Sequence, residues 1–387
     1  MNDDLRGIWG DPDVYDPDLN RLDEWEIKKL LVLGEATVED IGNEKGILRM
    51  KDGRWTMLFG GWKTNRWPTE EEARGLPDTT YSRTYDNWDP DAWLTAFGRR
   101  TDKRQPRKEA FAFTIQAAKK GRYTTSKGNA VRIPSDGKLI KGTKLYTKQL
   151  HPDLPEQVYE TEVSFENEDA LAVAERLVRS GSERVALLNP ADRKTPGGQV
   201  YKGMDGQEET IFRRSDCFLS LCPYAQTAKQ YGLRRRLLKR YPLKTDFGGC
   251  FSPNVTVFRG TEREGYPFLE EPWRVNIIAV PVPKHWECVE SCCGEERIAA
   301  NAVPTVRNKI RTVFNIAIEH RMETLVLGAF RRGKAEYPQR HMAELFAQIL
   351  EEPPYRGRFR KIVFAFPEAE DFRDVFSGKP SLKCVSR

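Results

Sequence analysis

From about residue 105 to residue 370, segments with a helical spacing of apolar residues take turns with short apolar runs of strand length. That alternation predicts helices covering both faces of a largely parallel or mixed sheet, because each amphipathic helix must bury its stripe against a sheet face. Glu109 to Lys120 reads as a helix with Phe111, Ala117 and Ala118 among its apolar positions, stopped by Gly121. Asn167 is placed to cap a helix running to Ser180, whose Leu171, Ala174, Leu177 and Val178 share a face before Gly181 ends it. The run Val185 to Leu188 reads as a strand, and Val275 to Val282 as a buried one. Val306, Ile310, Val313, Phe314 and Ala317 then space out as an amphipathic helix, followed by strand Thr324 to Leu327, helix Arg340 to Glu351 and strand Lys361 to Phe366. Ligands in such sheets bind beyond the carboxyl ends of the strands. Two loops leave strands at such ends, Asn189 to Glu209 and Gly328 to Pro338.

A chain of 387 residues is long enough for two domains or one large domain with an extension. Seven of its nine tryptophans (Trp9, Trp25, Trp55, Trp62, Trp67, Trp88 and Trp93) lie in the first 93 residues, so the front is compositionally distinct. Within it, Ile47 to Met50 and Trp55 to Phe59 flank Lys51-Asp52-Gly53-Arg54, a strong hairpin signal and the mark of a small β or mixed module. The tryptophans either fill the core of that module, the commoner fate of clustered aromatics, or present a surface to a protein partner. Arg99, Arg100, Lys103, Arg104, Arg107 and Lys108, opposed only by Asp102, mark a boundary. The expected division is therefore residues 1–104, residues 105–376 and a tail at 377–387.

Seven cysteines, an odd number in a long chain, predict reduced thiols and no structural disulfides. No apolar run approaches the roughly 20 residues that span a bilayer, so a soluble protein of the cytoplasm or nucleus with no membrane contact is expected. A net charge of +6, from 63 basic and 57 acidic residues, does not by itself argue for nucleic acid.

The chemistry concentrates in one loop. Pro196-Gly197-Gly198-Gln199 is followed after a short gap by Gln207-Glu208-Glu209. A glycine turn presses its backbone against a bulky polar ligand because no Cβ holds the two apart, and paired carboxylates supply acid–base chemistry. The plainer readings are an ordinary turn and a solvated first helical turn, where acidic residues are favoured anyway.

The loop resembles the signature of the bacterial-type poly(ADP-ribose) glycohydrolases, a macrodomain-like family. Matches continue in the family's order over roughly residues 105–370. They run from Lys119-Lys120-Gly121-Arg122-Tyr123 and Gly142-Thr143-Lys144-Leu145-Tyr146 to Leu188-Asn189 and Gly203, then Arg214, Ser215 and Leu219. Ser252-Pro253-Asn254-Val255 with Val257-Phe258-Arg259, and Leu327-Gly328-Ala329-Phe330 with Gly333 and Pro338, complete them. The resemblance implies a three-layer α/β/α fold with a mixed central sheet. It implies hydrolysis of a ribose–ribose O-glycosidic bond, with Glu209 protonating the leaving group and then taking a proton from water, and Glu208 holding the ribose hydroxyls. The ligand, ADP-ribose or poly(ADP-ribose) on protein or nucleic acid, would meet Asn189, Gly197, Gly198, Gln199, Gln207, Gly328, Arg331, Arg332, Gly333 and Tyr337. Neither metal nor cofactor is implied.

Two positions depart from the family. Gln199 stands where the third glycine belongs, and Arg331-Arg332-Gly333-Lys334-Ala335 replaces glycine-cysteine-glycine and an aromatic, with Tyr337 two residues on. The added cations suit a pyrophosphate held by charge. The alternatives are a non-catalytic ADP-ribose reader, or a scaffold whose front module binds a partner. Cys288, Cys292 and Cys293 with His285 lack the second ligand pair of a zinc site, and His151, His320 and His341 are scattered. No serine or cysteine nucleophile constellation stands out. Arg234, Arg235, Arg236, Lys239 and Arg240 read most simply as one solvated helix face, with guidance of a polyanion as the alternative.

Overall fold

The computed structural model describes residues 22, 24–42, 45–51, 55–59, 69–70, 88–134, 138–182, 184–225, 233, 241, 243, 246–282, 287–291, 294–330, 338–367 and 369–378. In chain order the strands are β1 (Ala36–Gly42), β2 (Lys45–Met50), β3 (Trp55–Phe59), β4 (Arg122–Thr124), β5 (Ala130–Arg132), β6 (Lys144–Tyr146), β7 (Glu162–Glu166), β8 (Val185–Ala191), β9 (Gly249–Arg259), β10 (Phe268–Pro281), β11 (Cys288–Glu290), β12 (Glu296–Ile298), β13 (Thr324–Leu327) and β14 (Lys361–Ala365). The central sheet has seven strands in the order β6-β9-β10-β8-β13-β14-β7. Strands β10, β8, β13, β14 and β7 pair in parallel, while β9 runs antiparallel to both β10 and β6. The sheet is therefore mixed, one of the two arrangements the alternation of elements allows and the one the resemblance implies.

Side chains of the interior strands divide between two cores. On β8, Val185 and Leu187 enter one core and Ala186 and Leu188 the other; on β10, Ile277 and Ile278 divide the same way. Helices Arg104–Lys120, Ala170–Arg179 and Gln207–Arg214 close the first face with Phe111, Leu171 and Ile211. Helices Val303–Glu319, Gln339–Leu350 and Glu370–Phe376 close the second with Ile310, Met342 and Phe372. Strands buried on both faces carry continuous apolar runs, which is why β8 and β10 are legible in the sequence.

Element bounds differ from expectation where caps decide them. The first of these helices starts at Arg104 rather than Glu109, since Pro106 falls in the first turn, where a missing N–H leaves no bond unmade. Gly121 ends it in the left-handed region at φ 68°. The cap of the Ala170–Arg179 helix is Asp169, whose carboxylate accepts from the Ala172 N–H, and not Asn167. Strand β8 continues past Leu188 to Ala191, carrying Asn189 to the sheet's carboxyl edge.

The front of the chain holds β1, β2 and β3 as an antiparallel sheet, in which β2 and β3 pair as expected; Asp52, Gly53 and Arg54 between them lie outside the described residues. Leu22, Ile27, Leu30, Ala36, Leu48 and Leu58 make a core of their own. Trp88 and Trp93 belong instead to the larger core. The Trp88 ring meets Phe113 edge-on at 4.7 Å and Trp93 meets Tyr266 at 5.2 Å, while their indole N–H groups donate to the carbonyls of Gly265 and Pro106. The change in composition near residue 100 thus does not coincide with a gap in packing. Trp9, Trp62 and Trp67, the Arg234–Arg240 run, His285, Cys292, Cys293, Arg331, Arg332, Gly333, Tyr337 and residues 379–387 lie outside the described residues.

Candidate active site

Strand β8 is buried along its whole length and delivers Asn189 to the carboxyl edge of the sheet. The Asn189 amide is fully buried, and among the described residues neither its Nδ2 nor its Oδ1 has a hydrogen-bond partner. Leaving such a group unmatched costs about 1–3 kcal/mol, an expense expected where a ligand completes the site. Beyond it the chain turns on Asp192, whose Oδ1 accepts from the N–H groups of Lys194 at 2.6 Å and Thr195 at 2.9 Å. Gly197 and Gly198 follow at φ 76° and 58°, two successive left-handed residues that only glycine adopts without strain.

The turn closes on the carboxylates. Glu208 and Glu209 sit in the first turn of the Gln207–Arg214 helix, whose amino end has no side-chain cap. Both reach back into the loop. Glu208 accepts from the Asp192 N–H through Oε2 at 2.7 Å and from the Gly197 N–H through Oε1 at 2.9 Å. Glu209 accepts from the Gln199 N–H through Oε1 at 3.0 Å. A Cβ at Gly198 would fall well inside 3.0 Å of Glu209 Oε1 and 3.2 Å from Glu208 Oε2, so the two carboxylates flank one point of backbone. A Cβ at Gly206 would collide with Glu209 Oε2 in the same way, and one at Gly197 would meet the Phe212 ring at 2.5 Å.

Burial pushes the Glu208 carboxyl well above the usual carboxylate range, and the neighbouring charge of Glu209 adds to it; the two backbone N–H bonds oppose the shift and are outweighed. Burial thus favours the proton-bound form of the Glu208 carboxyl, beside that of Glu209.

Gln207 connects the two loops. Its Nε2 donates to the carbonyl of Leu188 at 2.9 Å, and its amide lies where a Cβ on Gly328 would stand. Asn189, Gly197, Gly198, Gln199, Gln207, Glu208, Glu209 and Gly328 are therefore brought to one end of the sheet. Gln199, where the family has glycine, adopts φ −116°, a conformation open to any residue, so the departure carries no backbone strain. Sequence reasoning did not find Asp192, although an aspartate two and three residues ahead of the amides it binds is a recognised turn signal. It also missed Phe212, the floor beneath Gly197, which looks like any helical apolar residue.

A family model described as "Microbial-type PARG, catalytic domain" matches residues 112–260. Poly(ADP-ribose) glycohydrolase from Thermomonospora curvata is 30% identical to this chain, with a TM-score of 0.54, over 70% of this chain and 99% of that one. The chain belongs to the microbial-type poly(ADP-ribose) glycohydrolase family. A second structure of the Thermomonospora curvata enzyme, bound to the inhibitor ADP-HPD, is 29% identical with a TM-score of 0.54, over 70% of this chain and 100% of that one. Among curated proteins none matches. The matched span of the family model contains β8, the glycine turn and both carboxylates. No helix among the described residues is long and apolar enough to cross a membrane.

Proposed function

We infer that this chain is a glycohydrolase that cleaves the O-glycosidic ribose bond of poly(ADP-ribose) or of ADP-ribosylated substrates. The observation that carries this is the convergence of Glu208 and Glu209 on the Gly197–Gly198 turn at the carboxyl end of β8. Glu209 gives its proton to the leaving ribose oxygen as the C–O bond breaks and positive charge spreads over the anomeric carbon and ring oxygen; it then takes a proton from the water that attacks that carbon. Glu208 fixes the turn through two backbone amides, and its carboxyl stands beside Glu209 to meet the ribose hydroxyls. Asn189 offers its unmatched amide to the same sugar. Gly328, opposite Gln207, opens the loop that receives the diphosphate, with Arg331, Arg332, Gly333 and Tyr337 following it in sequence. The acceptor that carries the ADP-ribose is a protein or a nucleic acid.

Within residues 1–104, the part that packs around its own core, residues 22–58, acts as an accessory module with a protein partner. Release of ADP-ribose from poly(ADP-ribose), measured chromatographically beside calorimetric binding of ADP-ribose, tests the reading. Wild type is expected to release ADP-ribose, and Glu209→Gln to bind it with little change in affinity while losing release by at least a hundredfold. Binding without release by wild type would make the chain a reader instead.

A further inference from the structure

Tyr266 is fully buried and holds φ 51°, a left-handed conformation that a bulky residue adopts only when its surroundings fix it. Two buried arginines hold it. The Arg259 guanidinium donates to the Tyr266 carbonyl from both Nε, at 2.9 Å, and Nη2, at 2.7 Å. The preceding carbonyl, of Gly265, takes the Trp88 indole N–H. With its backbone pinned, Tyr266 directs its hydroxyl to a single place. There it accepts from Arg213 Nε at 2.9 Å and donates to Glu262 Oε2 at 2.9 Å.

Both neighbours of that hydroxyl lead back to the turn ahead of Gln207. Arg213, fully buried and one helical turn after Glu209, donates through Nη1 to the carbonyl of Met204 at 2.8 Å. Glu262 is gripped by Arg107 in a two-pronged contact, 2.7 Å on each oxygen, and Arg107 Nη2 also reaches Asp205 at 3.2 Å. Gly203, just before, packs so tightly on the Arg104 carbonyl that no Cβ fits between them. Residues 203, 204 and 205 are each held, and the next is Gly206, the backbone against which Glu209 Oε2 rests.

We propose that the chain Arg107–Glu262–Tyr266–Arg213 positions the Glu209 carboxyl by fixing the 204–206 turn beneath it, with Tyr266 as the positioning residue that joins its two arms. This rests on Glu209 being the acid of the proposed reaction. None of the four residues touches the glycine turn or its carboxylates through the hydrogen bonds described, and Tyr266 stands far along the chain from Glu209. An acid misplaced by about 1 Å costs roughly a hundredfold in rate, whereas affinity for ADP-ribose depends on contacts elsewhere in the crevice. The network should therefore appear in kcat and not in KM.

The test compares wild type, Tyr266→Phe, Glu262→Gln and Glu209→Gln for poly(ADP-ribose) hydrolysis, ADP-ribose affinity by calorimetry, and thermal unfolding. Arg213 itself is avoided, since removing a buried guanidinium endangers folding. Tyr266→Phe keeps the ring and removes only the hydroxyl that joins the arms; its kcat is expected to fall at least tenfold, with KM and ADP-ribose Kd within twofold of wild type. Glu262→Gln should move the same way. Phe372→Leu, in the core on the opposite face of the sheet, serves as a control of matched Tm loss and should keep its kcat. Tyr266→Phe and Glu262→Gln with kcat within twofold of wild type would overturn the inference, as would an equal loss of kcat in Phe372→Leu or a matching loss of ADP-ribose affinity in Tyr266→Phe. Wild type without turnover, or Glu209→Gln as active as wild type, would end the functional reading and this inference together; loss in Glu209→Gln with retention in Tyr266→Phe ends this one alone.

Discussion

Replacing Gly198 by alanine separates chemistry from stability, and the adjacent Gly197 supplies the comparison. At φ 58° an alanine is disfavoured by about 1–2 kcal/mol, partly offset by roughly 0.4–1 kcal/mol from the stiffer unfolded chain. The added methyl meets Glu209 Oε1, the far end of a flexible side chain, so the fold yields there at the cost of little more than its bond from the Gln199 N–H. The carboxylate, however, must retreat by about 1 Å, a displacement worth roughly a hundredfold in rate. Gly197→Ala bears the same backbone strain at φ 76°, but its methyl strikes Phe212 at 2.5 Å, a ring fixed in the core. Overpacking of that kind adds about 1–3 kcal/mol. At roughly 2–4 °C per kcal/mol, Gly198→Ala should lower Tm by a few degrees at most and Gly197→Ala by clearly more. Thermal unfolding and steady-state release of ADP-ribose, measured side by side, check both. Gly198→Ala with turnover within twofold of wild type would refute the placement of the Glu209 carboxyl against this turn, whatever its Tm.

Gln199→Gly, which restores the family's residue, is expected to cost about 0.5–1 kcal/mol in denaturant unfolding, because φ −116° gains nothing from glycine and the unfolded chain gains entropy; a rise in stability would contradict this. Burial pushes the Asp216 carboxyl up to about 7, against the opposing pull of its Thr256 bonds and Arg274. A carboxyl that holds its proton more tightly folded than unfolded contributes stability that is complete below its unfolded value of 3.8 and is lost as pH rises through about 7. Asp216→Asn keeps an oxygen acceptor for the Thr256 N–H and should therefore exceed wild type in Tm at pH 8 by more than at pH 5; an equal difference at both would count against the assignment.

The alternation of periods in residues 105–370 determined the layered architecture, since apolar runs on β8, β10, β13 and β14 and amphipathic stripes on the helices leave few other ways to bury both. The two glycines and the carboxylate pair were equally legible, because their conformational freedom and chemistry are properties of residue type. Cap-dependent bounds were less so. Asp169 and Asn167 are both competent caps, and only the direction of the chain at that point selects one.

Tertiary structure decided how those residues act. Nothing local to Gln207-Glu208-Glu209 states that Glu208 will accept the amides of Asp192 and Gly197, or that Gln207 will face Gly328 across the sheet's edge. Nor does any spacing announce that Tyr266, Glu262 and Arg107 will reach the turn ahead of Gly206. The sequence carries the identity and local freedom of each group, whereas the direction of a carboxylate and the burial that governs its proton depend on segments far apart in the chain. Those meet only when the sheet has assembled, because desolvation and hydrogen bonding act through space and not along the backbone.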